Sequence, residues 1–210
     1  MRGRMRSRIA AIAATLIVVA GAGIVATGSA SADASAGTLG MSAMPGMGPA
    51  TGQAHQSQLD PVRNALAVYA DFGGAARLAD YPTGPVPKVS GPQAGQTCIV
   101  DPAGSGAMGE HYVNLANVTD GTIDAMHPEA LIYEPHPDGS RVLVGVEYIV
   151  FQSQWNATHH SPPRLFGQTF MSFDASNPFG LPAYYALHAW LWRADPSGTF
   201  AMYNPAVHCP

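Results

Sequence analysis

The chain has 210 residues, only 11% of them charged, and it contains 23 Gly and 18 Pro. This length suits one ordinary domain, and the Gly and Pro content favours a loop-rich fold over a helical bundle. Cleavage after Ala32 would leave six of the ten basic residues against 14 acidic residues, a net charge of −8. Such an acidic chain has no electrostatic footprint for nucleic acid or for anionic membrane surfaces.

The N-terminus has the pattern of an export signal. Four Arg residues alternate with other residues over positions 1–8, and Ile9 to Ala26 is an unbroken run of apolar and small residues. Small residues at positions 28–32 then supply a cleavage site, and this order is typical of a secretory signal peptide. We therefore predict a Sec-type signal peptide over residues 1–32 and a secreted protein. A retained membrane anchor is the alternative, because the apolar run is just long enough to span a bilayer.

Export changes what the two cysteines, Cys98 and Cys209, indicate. In an oxidising compartment, an even number of cysteines without C-x-x-C spacing indicates a structural disulfide. Closing a loop of this length should stabilise the fold by about 4–5 kcal/mol in the chain-entropy model. The alternative is a pair of thiolate metal ligands, an arrangement that is less common outside the cytosol.

Residues 33–58 are predicted to form a flexible linker, because they are Ala, Gly, Ser, Pro and Met with almost no charge. Within the linker, Met41, Met44 and Met47 recur at a spacing of three, and His55 follows. Thioether sulfur is a soft ligand that suits Cu(I), so these three Met residues are a copper candidate. The other interpretation of this tract is a low-complexity tether.

A single globular domain is predicted over residues 59–210, and it should begin with a helix. Asp60 is a good N-cap, and Pro61 is favoured at the first helical position. Apolar residues then recur at helical spacing and predict one buried stripe, made of Val62, Ala65, Leu66, Tyr69, Phe72 and Ala76. Two consecutive Gly residues at 73–74 should weaken the helix, which is predicted to end by Asp80.

Several strands with long loops are predicted after the helix. The clearest is a β-hairpin of Ala130–Glu134 and Arg141–Phe151, because an Asp-Gly pair in the turn is a strong hairpin signal. Further short strands are predicted over Thr97–Asp101, His111–Asn114, Tyr184–Trp192 and Phe200–Tyr203. This order of elements predicts an α+β fold in which an N-terminal helix packs on an antiparallel sheet, with long loops and one disulfide.

Two of these strands carry polar side chains in apolar surroundings. Side chains alternate between the faces of a strand, and both faces of Arg141–Phe151 are apolar around Glu147. In Tyr184–Trp192, His188 shares its face with aromatic residues. A buried carboxylate is costly unless it is paired, hydrogen-bonded or metal-bound. Glu147 and His188 are therefore the first candidate site residues. His111 at the start of a further predicted strand and Glu134 at the end of the first hairpin strand join them.

The four candidates His111, Glu134, Glu147 and His188 support three interpretations. Two His and one or two Glu are competent ligands for a transition metal, with zinc or copper as the expected ion. The same groups can act as a general acid–base pair, although the chain has no G-x-S-x-G motif. They can also form a hydrogen-bonded core pair. The corresponding functions are a secreted metal- or small-ligand-binding protein, an enzyme, and a structural or interaction protein of the cell exterior. No residue is assigned as catalytic.

Six segments in a fixed order carry a resemblance to a known family. They are Met108–Asn114, Pro128–Pro135, Leu143–Tyr148, Pro163–Gln168, Tyr185–Trp192 and Pro196–Cys209. Over roughly residues 62–209 the chain resembles an uncharacterised family of secreted proteins from high-GC Gram-positive bacteria. The resemblance implies a shared fold and an exported setting. It brings no activity, cofactor or catalytic residue with it.

Overall fold

A computed structural model describes residues 50–210, with side chains from Ser57 onward. The predicted signal peptide, the three Met residues of the copper candidate and the side chain of His55 lie outside the described residues. The described helices are α1 (Ala50–Leu66), α2 (Ala75–Asp80), α3 (Leu115–Val118) and α4 (Gln152–Trp155). The strands are β1 (Cys98–Val100), β2 (Ala107–Val113), β3 (Ala130–Pro135), β4 (Arg141–Phe151), β5 (Arg164–Leu165), β6 (Gln168–Thr169), β7 (Met171–Phe173) and β8 (Tyr184–Ala189). Among the helices of this part of the chain, none is long and apolar enough to cross a membrane.

Helix α1 begins at Ala50, earlier than the predicted start at Asp60, and Pro61 lies inside it. Three Gln and two Ala precede Asp60 within the helix, and both residue types have good helix propensity. The last part of the predicted linker is therefore helical. A short 3-10 helix follows at Ala67–Ala70, and the chain leaves helical geometry before the Gly pair at 73–74. Helix α2 then ends at Asp80.

One antiparallel sheet organises the fold, with its six strands in the order β1-β2-β3-β4-β8-β7. Strands β3 and β4 form the predicted hairpin, which is confirmed. Strands β5 and β6 make a separate two-stranded sheet. The α+β class and the antiparallel sheet are therefore confirmed.

The C-terminal segment differs from the prediction, because 200–203 forms no strand. The chain turns at 195–198 and contacts the sheet through isolated hydrogen bonds instead of a ladder, including a reciprocal pair between Ala107 and Asn204. The N–H of Trp190 donates to the carbonyl of Thr199 at 2.9 Å, and the N–H of Asn204 donates to the carbonyl of Ala107 at 3.0 Å. Ala107 itself extends β2 upstream of its predicted start.

Strand β4 is covered on both faces. Val146, Tyr148 and Val150 lie in the largest core cluster, whereas Val144 and Ile149 pack on the opposite face. Val144 is an extra residue in the pairing with β3, and this bulge makes the alternation of faces slip. Leu143 therefore packs with the Val146 face, not with the Glu147 face that strict alternation predicts.

Helix α1 contributes three buried side chains, Leu59, Val62 and Leu66. They belong to the same core cluster as Tyr133 of β3 and Tyr148 of β4. Ala65, which lies on the predicted stripe, is exposed. The buried positions recur every three or four residues, which is the period of one helix face.

The predicted disulfide between Cys98 and Cys209 is present and confirmed. Its Cα atoms are 5.6 Å apart, and the two cysteines are 111 positions apart in the sequence. The bond joins the first residue of edge strand β1 to the end of the chain. Neither sulfur is available as a thiolate ligand.

Replacing both cysteines by Ser should lower the free energy of unfolding by about 4–5 kcal/mol, because the disulfide closes a long loop. Urea denaturation of the wild type and the C98S/C209S variant measures this difference. Wild-type protein in excess reductant is the control, and it should unfold at the same urea concentration as the variant. Equal midpoints for the oxidised wild type and the variant would contradict a stabilising role.

Candidate metal centre

Three side chains from three strands converge on one face of the sheet. Glu147 on β4 lies directly opposite His188 on β8. On the other side of β4, Glu147 is opposite Ala130 of β3, which is in turn opposite Val113 of β2. His111 lies two residues before Val113 and so shares its face. Because Ala130 ends at Cβ, His111 can reach across β3 to Glu147; we call His111, Glu147 and His188 the triad.

The donor atoms of the triad are close enough to share one ion. The two Nε2 atoms of His111 and His188 are 3.3 Å apart. Glu147 Oε2 is 3.5 Å from His111 Nε2, and Glu147 Oε1 is 3.6 Å from His188 Nε2. Zinc bonds of about 2.0–2.1 Å in a tetrahedral site place neighbouring donor atoms about 3.3 Å apart. The separation of the two imidazole nitrogens matches this value.

Burial controls the protonation of the triad. Glu147 is 9% exposed and His188 only 2% exposed. Burial raises the pKa of Glu147 to about 8 and lowers the pKa of His111 to about 4. Burial, with a smaller contribution from His111, lowers the pKa of His188 to about 3. At neutral pH both imidazoles are therefore neutral and the carboxyl group keeps its proton, so the triad carries no net charge.

The triad is only partly satisfied by its own hydrogen bonds, of which one joins the Nε2 atoms of His111 and His188 at 3.3 Å. Within the described part of the chain, neither carboxyl oxygen of Glu147 makes a hydrogen bond, and its distances to the imidazoles exceed normal hydrogen-bond lengths. The buried Nδ1 of His188 has no hydrogen-bond partner among the described residues. A metal-binding His usually donates this second ring N–H, so His188 departs from the usual pattern. The geometry does not match a self-satisfied Glu–His core pair.

The structure does not bring Glu134, the fourth predicted ligand, to the triad. Its carboxylate forms an ion pair with Arg193 and accepts a hydrogen bond from the backbone N–H of His208 at 3.0 Å. Glu134 lies opposite Val142 in the hairpin, at the other end from the pairing of Ala130 with Glu147. Arg193 therefore balances the charge of the Glu134 carboxylate away from the triad, and the structure provides no role for this carboxylate as a ligand of the same ion.

Sequence reasoning missed two buried charged residues near the triad. Glu129 is 1% exposed, and its Oε2 accepts a hydrogen bond of 2.8 Å from the backbone N–H of Ile149. Burial raises the pKa of Glu129 to about 8. Lys88 is 8% exposed, although it lies in a Pro- and Gly-rich loop. Glu129 directly precedes the apolar strand β3, which is a usable signal, whereas nothing in the local sequence marks Lys88 as buried.

A cavity of about 240 Å³ lies beside the triad, and all three triad residues border it. Its other walls are mainly apolar and come from strands β1, β2, β4, β7 and β8 and from three loops. They include Ile99, Met108, Ile149, Phe173, Phe179 and Met202. Because the triad lines the cavity, a bound ion would have one open position for water or a small ligand.

No family model, no curated protein and no solved structure matches this chain. The chemistry of the site therefore follows from its geometry alone. Two imidazoles and one carboxylate beside a cavity form the donor set of zinc sites that keep three protein ligands and one exchangeable position.

Metal-free protein should lose stability between about pH 7 and 8. In this range, folded Glu147 and Glu129 still hold protons that an unfolded Glu, with its pKa near 4.5, has released. The unfolded state thus binds fewer protons, and the free energy of unfolding falls as pH rises. Glu147→Gln should remove roughly 1 kcal/mol per pH unit of this loss.

Urea denaturation of chelator-treated protein at several pH values tests this expectation. Asp138→Asn, at an exposed turn where the pKa of the native Asp is lowered by its hydrogen bonds to Ser140, is the control. It should retain the slope of the wild type. An unchanged slope in Glu147→Gln would show that the carboxyl group is ionised at neutral pH.

Proposed function

We propose that this chain is an exported metal-binding protein in which His111, Glu147 and His188 hold a divalent transition metal. The observation that carries the proposal is the convergence of three donor groups, from three strands, within 3.3–3.6 Å of one another beside a cavity. With one donor atom taken from each residue, the donor atoms of His111, Glu147 and His188 all lie within 4.8 Å of one another.

Zinc fits the donor set best, with copper as the alternative ion. The imidazoles are already neutral, so their Nε2 lone pairs need no proton loss before they bind. The separation of the two nitrogens suits a tetrahedral ion, whereas Cu²⁺ favours square-planar or tetragonal sites. A bound cation would replace the proton on Glu147 and supply the charge that this buried carboxylate lacks.

The exported setting is part of the proposal. The basic, apolar and small-residue order of residues 1–32 supports it, as does the resemblance to an uncharacterised family of secreted proteins from high-GC Gram-positive bacteria. The Cys98–Cys209 disulfide agrees with an oxidising compartment. We also propose that the N-terminal helix covers the sheet, since Leu59, Val62 and Leu66 belong to the main core cluster.

The second candidate function is an enzyme in which Glu147 and His188 exchange a proton with a bound substrate. The cavity favours this candidate, because a substrate there would lie against both residues. The raised pKa of Glu147, about 8, suits a general acid at neutral pH. The two functions differ in their need for a metal: an acid–base pair would work in chelator-treated protein.

Zinc titration by isothermal calorimetry tests the metal proposal. The mature wild type should bind one zinc ion, and His188→Ala should weaken zinc binding by about 100-fold or more, because it removes a direct ligand. Glu147→Gln should weaken it as well, since the amide cannot carry the negative charge. Metal analysis of purified protein gives an independent count of bound ions.

His127→Ala is the matched control, because His127 is an exposed imidazole that pairs with Asp124 outside the triad. It should bind zinc like the wild type, and circular dichroism should show that all variants are folded. Equal and negligible zinc binding by the wild type, His188→Ala and Glu147→Gln would reject the proposal.

Zinc binding should release about one proton per ion at about pH 6. Glu147, with its pKa near 8, is protonated at this pH, whereas both triad imidazoles are already neutral. Calorimetry in buffers of different ionisation enthalpy measures the number of protons. Imidazoles with the ordinary pKa of about 6.5 would add more than one further proton. Release of two or more protons would therefore contradict the protonation states of the triad.

A further inference from the structure

We propose that the cavity beside the triad binds a small carboxylic acid with an apolar body, and that Lys88 supplies the positive charge that pairs with its carboxylate. This inference deepens the proposed function, since the cavity is the one that the triad borders. It adds the class of ligand that would lie next to the exchangeable coordination position of the metal centre.

The position and the surroundings of Lys88 are the main observations behind this proposal. Lys88 borders the cavity and is 8% exposed as a residue, so most of its side chain lies against protein. Its Nζ has one hydrogen bond, a long contact of 3.5 Å to the side-chain carbonyl of Gln93. In the described residues no carboxylate lies within ion-pair distance of Lys88. An ammonium group without a carboxylate partner can form a charge-assisted hydrogen bond with a bound carboxylate, and such bonds are stronger than neutral ones.

The backbone holds Lys88 at this position. The N–H of Lys88 donates to the carbonyl of Gln96 at 3.0 Å, and the N–H of Gly95 donates to the carbonyl of Lys88 at 2.8 Å. The side chain of Gln93 donates to the carbonyl of Val100 on β1 at 2.8 Å. The loop is also tied to the opposite cavity wall, because the N–H of Val89 donates to the carbonyl of Pro178 at 2.8 Å. Lys88 is therefore part of a fixed wall, not of a free loop.

The cavity selects the size and polarity of the ligand. Its volume of about 240 Å³ equals that of about eight water molecules, which corresponds to a ligand of about ten non-hydrogen atoms. Ile99, Phe173 and Phe179 provide apolar walls for the body of such a ligand. A highly charged or sugar-like ligand would leave its polar groups unpaired against these walls, and burial of unpaired polar groups is unfavourable.

The charges around the cavity favour a monoanion. Without a metal, the positive charge on the cavity wall comes from the side chain of Lys88. With zinc and an ionised Glu147, the triad would add one positive charge to that of Lys88. Both states attract a carboxylate, and the metal-containing state attracts it more strongly.

Octanoate, with about ten non-hydrogen atoms, is the probe for this site, and 1-octanol is its uncharged match. In chelator-treated protein at pH 7, octanoate should bind the wild type, and Lys88→Met should weaken octanoate binding by about tenfold or more. Binding of 1-octanol should be the same in both proteins, because Met keeps the apolar stem of the side chain. Lys88→Arg should retain octanoate binding, and thermal unfolding should show that both variants fold.

The outcomes separate this inference from the metal proposal. Lys88-dependent octanoate binding by the chelator-treated wild type supports the ligand site, whether or not the protein binds zinc. Zinc binding by a protein that does not bind octanoate would overturn the ligand site and leave the metal centre standing. Equal octanoate affinity of the wild type and Lys88→Met would also overturn it, because Lys88 would then not pair with the carboxylate.

Discussion

Glu147 lies on a strand that the core covers on both faces, and its removal from water sets the conditions for the whole site. An ionised carboxylate without a partner would be expensive there, so the group keeps its proton at neutral pH. The same burial keeps His111 and His188 neutral. The fold can thus form without burying net charge in the triad. A cation that displaces the proton of Glu147 converts the three neutral groups into a ligand set. The burial that keeps these groups neutral in the folded protein therefore also prepares them to bind a metal.

The parts of the fold that depend on residues close together in the sequence could be predicted from the sequence. An Asp-Gly turn between two apolar runs predicted the hairpin of Ala130–Glu134 and Arg141–Phe151, and two cysteines in an exported chain predicted the disulfide. The start of α1 and the course of 200–203 were not predictable in this way. Pro61 lies inside α1 although Pro prefers the first helical position, and the course of 200–203 depends on isolated hydrogen bonds to distant segments, which no local pattern expresses.

The residues of the site could likewise be predicted only where a local sequence pattern marked them. Glu147 and His188 stood out because each interrupts an apolar strand, and pairing between their strands places them opposite each other. Glu134 met the same criterion, yet a distant part of the chain supplies Arg193 as its counter-charge. Lys88 could not be predicted as a site residue. Its burial comes from long-range packing of a loop, and the composition of this loop is typical of surface segments. Buried charge on a strand is predictable from sequence, but the identity of its partner is not.

The disulfide also makes residues 98–209 a covalently closed ring. His111, Glu147 and His188 all lie inside this ring, whereas Lys88 lies on the arm that precedes it. A protease that cuts once in a surface loop of the ring would leave both fragments covalently joined, with every triad residue retained. A cut between Lys88 and Cys98 would instead separate the charged wall of the cavity from the ring. Against proteolysis, the three donor groups are thus protected by the topology of the chain, and the lysine is not.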